Sequence, residues 1–180
     1  GQAFEEQGSL QRAGEEYRAA TRLDRTFTDA YIGQGGVFLA AGNHLNALAS
    51  VNRAIQIDEN LVEAHNLRGL IYMNMNDNDL AIISFTRAIQ INPEYAEAYY
   101  NRARLNFSNR DIEAALEDLS AVIGLKPFEA RYYMERSRIY VFLDDQDRAL
   151  RDLERILEVT RDEEFTTTAR RIIANIRQGS

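Results

Sequence analysis

The chain has 180 residues, of which 45% are hydrophobic, and its formal net charge is −7 at pH 7. This acidic balance weighs against a nucleic-acid partner, because nucleic-acid phosphates require a basic face. No apolar run approaches the roughly 18 residues needed to cross a membrane, and the absence of cysteine excludes disulfides and thiol chemistry.

A repeat with a period of 34 residues runs along the chain, and residues 62–95 show it most clearly. In this unit, small or apolar residues stand at unit positions 8, 11, 20, 24 and 27, with a proline at position 32: Gly69, Tyr72, Ala81, Phe85, Ala88 and Pro93. The matching residues are Gly35, Phe38, Ala47, Val51 and Ala54 one period earlier, Ala103, Ala115, Leu119, Val122 and Pro127 one period later, and Ser137, Tyr140, Ala149, Leu153 and Ile156 two periods later. This agreement indicates a tandem array of helix pairs.

The pattern predicts two helices in each unit, A over positions 1–14 and B over positions 17–30, separated by short polar turns. In chain order the predicted helices are 29–41, 44–57, 62–75, 79–91, 96–109, 112–125, 130–143 and 146–159. A last amphipathic helix is predicted over Glu164–Gln178, with Phe165, Ala169, Ile172, Ile173 and Ile176 on its apolar side. We expect this helix to cap the array; the alternative is a helix that binds a partner or a membrane surface.

The period and its small-residue, aromatic and proline positions resemble those of the tetratricopeptide repeat (TPR) family. Full units are 28–61, 62–95, 96–129 and 130–163, and residues 1–27 fit the tail of an earlier unit, with Gly1, Phe4, Ala13, Tyr17 and Ala20 in phase. The chain departs from the family at His65, where a large aromatic is usual, and at Ala103 and Ser137, where glycine is usual. The resemblance implies an all-α, right-handed superhelical solenoid of antiparallel helix pairs, one array over residues 1–180 with a C-terminal capping helix over 164–180.

Residues able to carry chemistry are few. The two histidines, His44 and His65, lie at a turn and at a packing position, and neither has the partners of a nucleophile triad or a metal site. Asn74–Asp79 lacks the glycine and the glutamate of a calcium loop. We therefore expect no catalytic residue, no cofactor and no metal, and hence no enzyme within this chain.

Gly33, Gly35 and Gly36 lie in one predicted helix, which each of them weakens by about 1 kcal/mol relative to alanine. Gly35 occupies unit position 8, and no phosphate-loop lysine follows. One interpretation is a weak helix rescued by its neighbours. The other is that Gly33 and Gly36 open the groove so that a ligand can approach the backbone.

Arginine recurs at unit position 7, as Arg68, Arg102, Arg136 and Arg170. Position 7 points away from the stripe that would face a ligand, so we expect a structural role. The predicted partners on the B helices are Ser84, Asp118 and Asp152.

The remaining stripe of the A helices lines the concave groove in TPR-like folds. The candidate groove residues are Asn66, Leu70 and Met73, then Tyr100, Asn101, Arg104 and Phe107, then Arg131, Met134, Glu135, Arg138, Val141 and Phe142. Aromatic residues, methionine and arginine are enriched in protein-binding surfaces. Some of these side chains are expected instead to pack against the next A helix.

Two known TPR subtypes do not fit. At the five positions of the carboxylate clamp that holds chaperone tails, this chain has Asn66, Leu70, Asn101, Arg131 and Glu135. Only Asn101 and Arg131 fit that clamp, and Glu135 would repel a terminal carboxylate. The asparagine ladder of glycosyltransferase arrays is broken, because position 6 reads Gly33, Leu67, Asn101 and Glu135.

These observations favour a module that binds a protein or peptide segment in its concave groove. Two alternatives stay open: a substrate-selecting region of a larger enzyme whose catalytic part lies outside this chain, and a scaffold that self-assembles, with weak self-association. No nucleic-acid partner and no direct membrane insertion are expected.

Overall fold

The structure, a computed structural model, describes the backbone of residues 2–179 and the side chains of residues 9–178. Within these residues the chain is all α-helical. Its helices are α1 Gln2–Leu23, α2 Thr28–Ala40, α3 His44–Ile57, α4 Val62–Asn74, α5 Asn78–Ile91, α6 Ala96–Ser108, α7 Ile112–Leu125, α8 Ala130–Phe142, α9 Gln146–Val159 and α10 Glu163–Gly179.

The bounds of α2 to α10 agree with the predicted helices to within one residue at each end. The helical periodicity and the turn residues therefore determined these elements locally. α1 is a single helix of 22 residues, without the break that separates the two helices of each later pair. Gly1 and the side chain of Phe4, which were placed in phase with an earlier repeat, lie outside the described residues.

One turn geometry recurs between the A and B helices of each pair. The second of the three turn residues has a positive φ, at Gly42, Asn76, Arg110 and Asp144. The residue after it caps the B helix, because its side-chain oxygen accepts a backbone N–H three residues later; these caps are Asn43, Asp77, Asp111 and Asp145. The N–H of each cap residue also donates to a carbonyl five residues earlier, which closes a Schellman-type end on the A helix.

The chain divides into two compact units, Gly1–Ala98 and Tyr99–Ser180, with the boundary inside α6. In the first unit, each helix from α1 to α5 packs on the next, and α2 also packs on α4. A central apolar cluster is formed by Ala47, Val51, Ala54, Ala64 and Ile71. Three of these residues occupy the predicted core positions 20, 24 and 27, and all five are fully buried.

In the second unit, α10 packs on α9 and α8. The core cluster there joins the last helix pair to this terminal helix through Ala130, Tyr133, Met134, Leu153, Ile156, Ala169 and Ile173. Arg170, Arg171, Asn175 and Arg177 are exposed on the opposite face. α10 therefore covers the apolar side of α9, as a capping helix does.

The arginines at position 7 join each A helix to its own B helix. Arg102 donates to both carboxylate oxygens of Asp118, at 2.9 and 2.7 Å, and Arg136 donates to both oxygens of Asp152, each at 2.8 Å. Arg68 reaches the hydroxyl of Ser84 at 3.2 Å. All three predicted pairings are confirmed. The hydrogen bonds to the carboxylates raise the pKa of Arg102 and of Arg136 above its ordinary value.

The glycines of α2 have different surroundings. A Cβ on Gly35 would lie 2.6 Å from Cγ2 of Val51, and a Cβ on Gly33 would overlap the ring of Tyr17 in α1. A Cβ on Gly36 would meet no atom within 4 Å. Close packing therefore explains Gly33 and Gly35, and the face of Gly33 is occupied by a tyrosine ring rather than open to a ligand.

His65 is a core residue, with 4% of its surface exposed. Its Nε2 lies 2.9 Å from the carbonyl oxygen of Glu59, and its Nδ1 lies 3.2 Å from a guanidinium nitrogen of Arg68. Because a carbonyl oxygen only accepts hydrogen bonds, the hydrogen is on Nε2, and Nδ1 accepts from the arginine. Burial lowers the pKa of His65, and the charges of Arg68 and Arg87 lower it further, against the opposing effect of the Glu59 hydrogen bond.

Candidate functional site

The candidate groove residues of the first unit lie on α4. Asn66 is buried, with 8% of its surface exposed. Leu70 and Met73 are half-buried. On this helix, therefore, Leu70 and Met73 keep part of their side-chain surface exposed, whereas Asn66 does not.

The richest part of the candidate site is in the second unit, where α6 and α8 place two tyrosines and an arginine together. The rings of Tyr100 and Tyr132 meet edge to face, with their centroids 5.3 Å apart. The guanidinium carbon of Arg131 lies 5.6 Å from the centroid of Tyr100 and 4.6 Å from that of Tyr132. Arg131 also donates from Nη2 to the hydroxyl of Tyr132 at 2.6 Å. Cation–π contact and the hydrogen bond hold this arginine in place on the tyrosine pair.

Two further arginines extend the surface along the helices. Arg104, one turn after Tyr100 on α6, is exposed, and its guanidinium carbon lies 5.7 Å from the Tyr100 centroid. Arg138, on α8, donates to Glu135 at 2.9 Å, and this pair is partly exposed. The two arginines therefore differ, since among the described side chains only Arg138 has an acidic partner within 4.0 Å.

An aromatic pair lies at the carboxyl ends of the same two helices. The rings of Phe107 and Phe142 meet edge to face, with centroids 5.8 Å apart. Phe142 is 69% exposed, and Val141 beside it is 44% exposed. This pair forms an apolar surface that begins one turn beyond Arg104.

A small cavity connects the charged and the apolar parts of the site. Its volume is about 240 Å³, and Arg104, Glu135 and Arg138 line it together with Phe107. Ala103, Leu119 and Ile139 complete the lining. One cavity therefore offers both a charged and an apolar wall, the combination that orients a bound side chain.

The electrostatic environment of Tyr100 keeps its hydroxyl protonated. Burial raises the pKa of Tyr100 first, and the charge of Glu135 raises it further. Arg104, Arg131 and Arg138 act in the opposite direction without reversing the shift. Tyr100 can therefore both donate and accept a hydrogen bond at neutral pH.

Reasoning from sequence missed Tyr132 and did not anticipate the place of Met134. Tyr132 is fully buried, and it holds Arg131 by accepting a hydrogen bond at its hydroxyl. Met134 has 3% of its surface exposed and belongs to the core cluster that α8 forms with α9 and α10.

The candidate residue Asn101 is half-buried beside Tyr100 on α6. The double tyrosine Tyr132-Tyr133 at the start of α8 was the available signal for an aromatic cluster here.

Comparison with known proteins identifies the family. Models of the tetratricopeptide repeat match residues 1–61, 62–95, 84–117 and 130–163. The chain belongs to the tetratricopeptide repeat family. Its helix pairs, its positive-φ turns and its small residues at position 8 are the features of a TPR array, and TPR proteins are generally non-catalytic interaction modules.

Solved structures share this TPR fold. The crystal structure of MamA has a TM-score of 0.74 and 23% identity, over 86% of this chain and 90% of that chain. YrrB, described as a TPR protein with an unusual peptide-binding site, has a TM-score of 0.69 and 20% identity, over 94% and 88%. A MamA segment from Desulfovibrio magneticus RS-1 has a TM-score of 0.74 and 18% identity, over 90% and 92%. No curated protein sequence matches the chain significantly.

Among the described residues, no group of three or more histidines and carboxylates is arranged to hold a metal ion. In that same part of the chain, every helix is too short or too polar to span a membrane.

Proposed function

We propose that this TPR chain is a protein-interaction module that binds a peptide or protein segment on the groove face of its A helices. The proposed contacts in the second unit are Tyr100, Asn101, Arg104, Phe107, Arg131 and Arg138. Leu70 and Met73 on α4 are the proposed contacts of the first unit. Asn66 and Met134, which are buried, are assigned to the support of this face.

The observation that carries the proposal is the exposed arginine and aromatic surface on α6 and α8. Such side chains are enriched at the energetic centres of protein interfaces. Here Arg131 is held over two tyrosines, and a cavity opens between Arg104 and Phe107. Side chains that are already positioned lose little entropy on binding, which favours a specific ligand. The peptide-binding site described for the structurally similar YrrB supports the same type of ligand.

We further propose that the chain has no catalytic activity and no cofactor of its own. His65 offers no base for a nucleophile, because one ring nitrogen donates to the carbonyl of Glu59 and the other accepts from Arg68. The net charge of −7 disfavours nucleic acid as the partner. A protein or peptide remains the partner class that the exposed surface fits best.

The test is a selection from a random peptide display library on the immobilised chain, followed by affinity measurements with the selected peptides. We expect Tyr100→Ala and Arg104→Ala each to weaken binding by more than about fivefold, which corresponds to about 1 kcal/mol. Arg87→Ala and Glu117→Ala, on the B helices α5 and α7, are the controls and should change affinity little. Melting curves of all four variants show whether the fold is retained.

The proposal is wrong if the selected peptides respond to the B-helix variants or bind α10 instead. Such a result would leave the TPR fold unchanged and move the binding surface.

A further inference from the structure

The arginines of the second-unit site differ in how far their charge is already neutralised. Arg138 is paired with Glu135 at 2.9 Å. Arg131 lies 4.0 Å from Glu129 and uses one N–H on Tyr132. Arg104 contacts the ring of Tyr100, and among residues 9–178, whose side chains are described, no carboxylate lies within 4.0 Å of it. Arg104 is therefore the guanidinium of this site with the most unmet capacity for a carboxylate.

Arg104 lies next to an apolar surface that a bound ligand would also contact. The residue lines the 240 Å³ cavity together with Phe107, which lies three residues further along α6. Three residues of helix advance by about 4.5 Å. The ring of Phe107 contacts the exposed ring of Phe142, and the two ring centroids are 5.8 Å apart. A ligand that places a carboxylate on Arg104 thus meets an apolar surface one helical turn away.

The charges around the cavity limit how acidic the ligand can be. Arg104 and Arg138 contribute two positive charges to the lining, and Glu135 contributes one negative charge. The net charge of one positive unit matches a single carboxylate. Because Glu135 lines the same cavity, it opposes the entry of a second carboxylate or of the phosphates of nucleic acid.

We propose that the α6–α8 site binds a peptide segment in which one Asp or Glu side chain lies within two residues of a large apolar side chain. Arg104 binds the carboxylate, and Phe107 with Phe142 binds the apolar side chain. In an extended segment, residues two apart lie on the same side at about 6.6 Å, which the flexible arginine side chain can span. This inference rests on the proposed function and names the ligand class for that site.

The test uses a display library of random twelve-residue peptides placed internally in the carrier protein, so that no peptide presents a free terminal carboxylate. We expect the retained peptides to be enriched in Asp or Glu within two positions of Phe, Leu, Ile or Met. The strongest peptide is then synthesised with acetylated and amidated ends. Replacing its acidic residue by Asn or Gln should weaken binding to the unmodified chain by about five- to tenfold.

The assignment to Arg104 is tested with a double-mutant cycle. With Arg104→Gln, the acidic peptide and its amide version should bind with nearly equal affinity. Arg151→Gln is the matched control, because it removes the same charge from an exposed position on α9, and it should preserve the acid preference. Phe142→Ser should weaken both peptides alike, because it removes only apolar contact.

The outcomes separate this inference from the proposed function. The inference alone is wrong if the retained peptides shift the NMR signals of α6 and α8 but show no preference for an acidic residue. It is also wrong if that preference is unchanged in Arg104→Gln. If no peptide is retained, or if the peptides map to the B helices, the proposed function and this inference both fail.

Discussion

At the scale of single residues, Arg102–Asp118 and Arg136–Asp152 are the most buried ion pairs among the described residues of the second unit. Each pairs both carboxylate oxygens with one guanidinium, which is the favoured geometry for arginine. The side chain of Arg136 is 18% exposed and that of Asp152 is 7% exposed. Water is therefore largely excluded, and removal of one partner leaves a charge without compensation.

Asp152→Asn should lower the free energy of unfolding by about 2–4 kcal/mol, because Arg136 then stays largely buried without a carboxylate. Chemical denaturation followed by circular dichroism measures this change. Glu158→Gln is the control, since it breaks the exposed Arg155–Glu158 pair and should leave the transition almost unchanged. Equal effects of the two variants would contradict the importance assigned to burial.

His65 predicts a pH dependence of stability. Its folded-state pKa lies below the ordinary value of about 6.5, because burial and nearby arginines oppose the charged form. The unfolded chain therefore binds the proton first as the pH falls, so the contribution of His65 is complete above about pH 6.5 and is lost below it. Protonation of Nδ1 would also break the hydrogen bond from Arg68.

The melting temperature should accordingly fall between pH 7.5 and pH 5.5, and His65→Gln should reduce this fall while keeping a donor for the carbonyl of Glu59. Differential scanning calorimetry at several pH values measures both chains. His44→Gln controls for the loss of a histidine. If it flattens the pH dependence as much as His65→Gln does, another group is responsible.

At the scale of the elements, the helix boundaries depend on the recurring turn between A and B helices. A positive-φ residue ends one helix, and the following Asn or Asp caps the next. Asn76 and Asp144 tolerate this conformation because their short polar side chains interact locally, whereas Arg110 adopts it at a cost. The turn therefore fixes where each B helix starts.

Gly35 and Gly36 provide a matched pair of tests within α2. Gly35→Ala should destabilise the chain by about 1–3 kcal/mol, because its Cβ would meet Val51, which is fully buried. Gly36→Ala should stabilise it by about 0.5–1 kcal/mol, because alanine favours the helix and the space beside it is open.

Thermal melting of these two variants measures both changes. A stabilising effect at Gly35 would remove the close-packing explanation for this residue.

At the scale of the whole molecule, repeats leave an unpartnered face at each end of an array. α10 covers that face in the second unit, with Ala169 and Ile173 buried against Leu153 and Ile156. The polar residues of α10 point to the opposite side. The terminal helix therefore completes a core that the last pair cannot close alone.

Removal of residues 164–180 should lower the melting temperature and promote dimerisation or aggregation, because the apolar side of α9 becomes exposed. Light scattering across a concentration series measures this. Ile173→Asp should reproduce part of the effect, while Ala174→Asp, at an exposed neighbouring position, should not. A truncated chain that stays monomeric and equally stable would disprove the capping role.

The sequence alone was sufficient to predict those features whose interactions are local or recur with the 34-residue period. The helices α2 to α10, the buried positions 20, 24 and 27, and the partners of Arg68, Arg102 and Arg136 could all be read from it. Each follows from helical periodicity or from a fixed spacing of 16 residues within one pair, as between Arg102 and Asp118.

Tertiary structure decided which side chains of the candidate face remain available. Helical phase places Met134 and Arg138 on the same stripe, but the core cluster that α8 forms with α9 and α10 buries Met134. The pairing of Arg138 with Glu135, by contrast, is a local contact three residues apart on α8. The contact of Tyr100 with Tyr132 joins two A helices of different repeats, and no local pattern specifies it. The availability of Arg104 for a ligand thus depends on where residues distant in sequence come to lie.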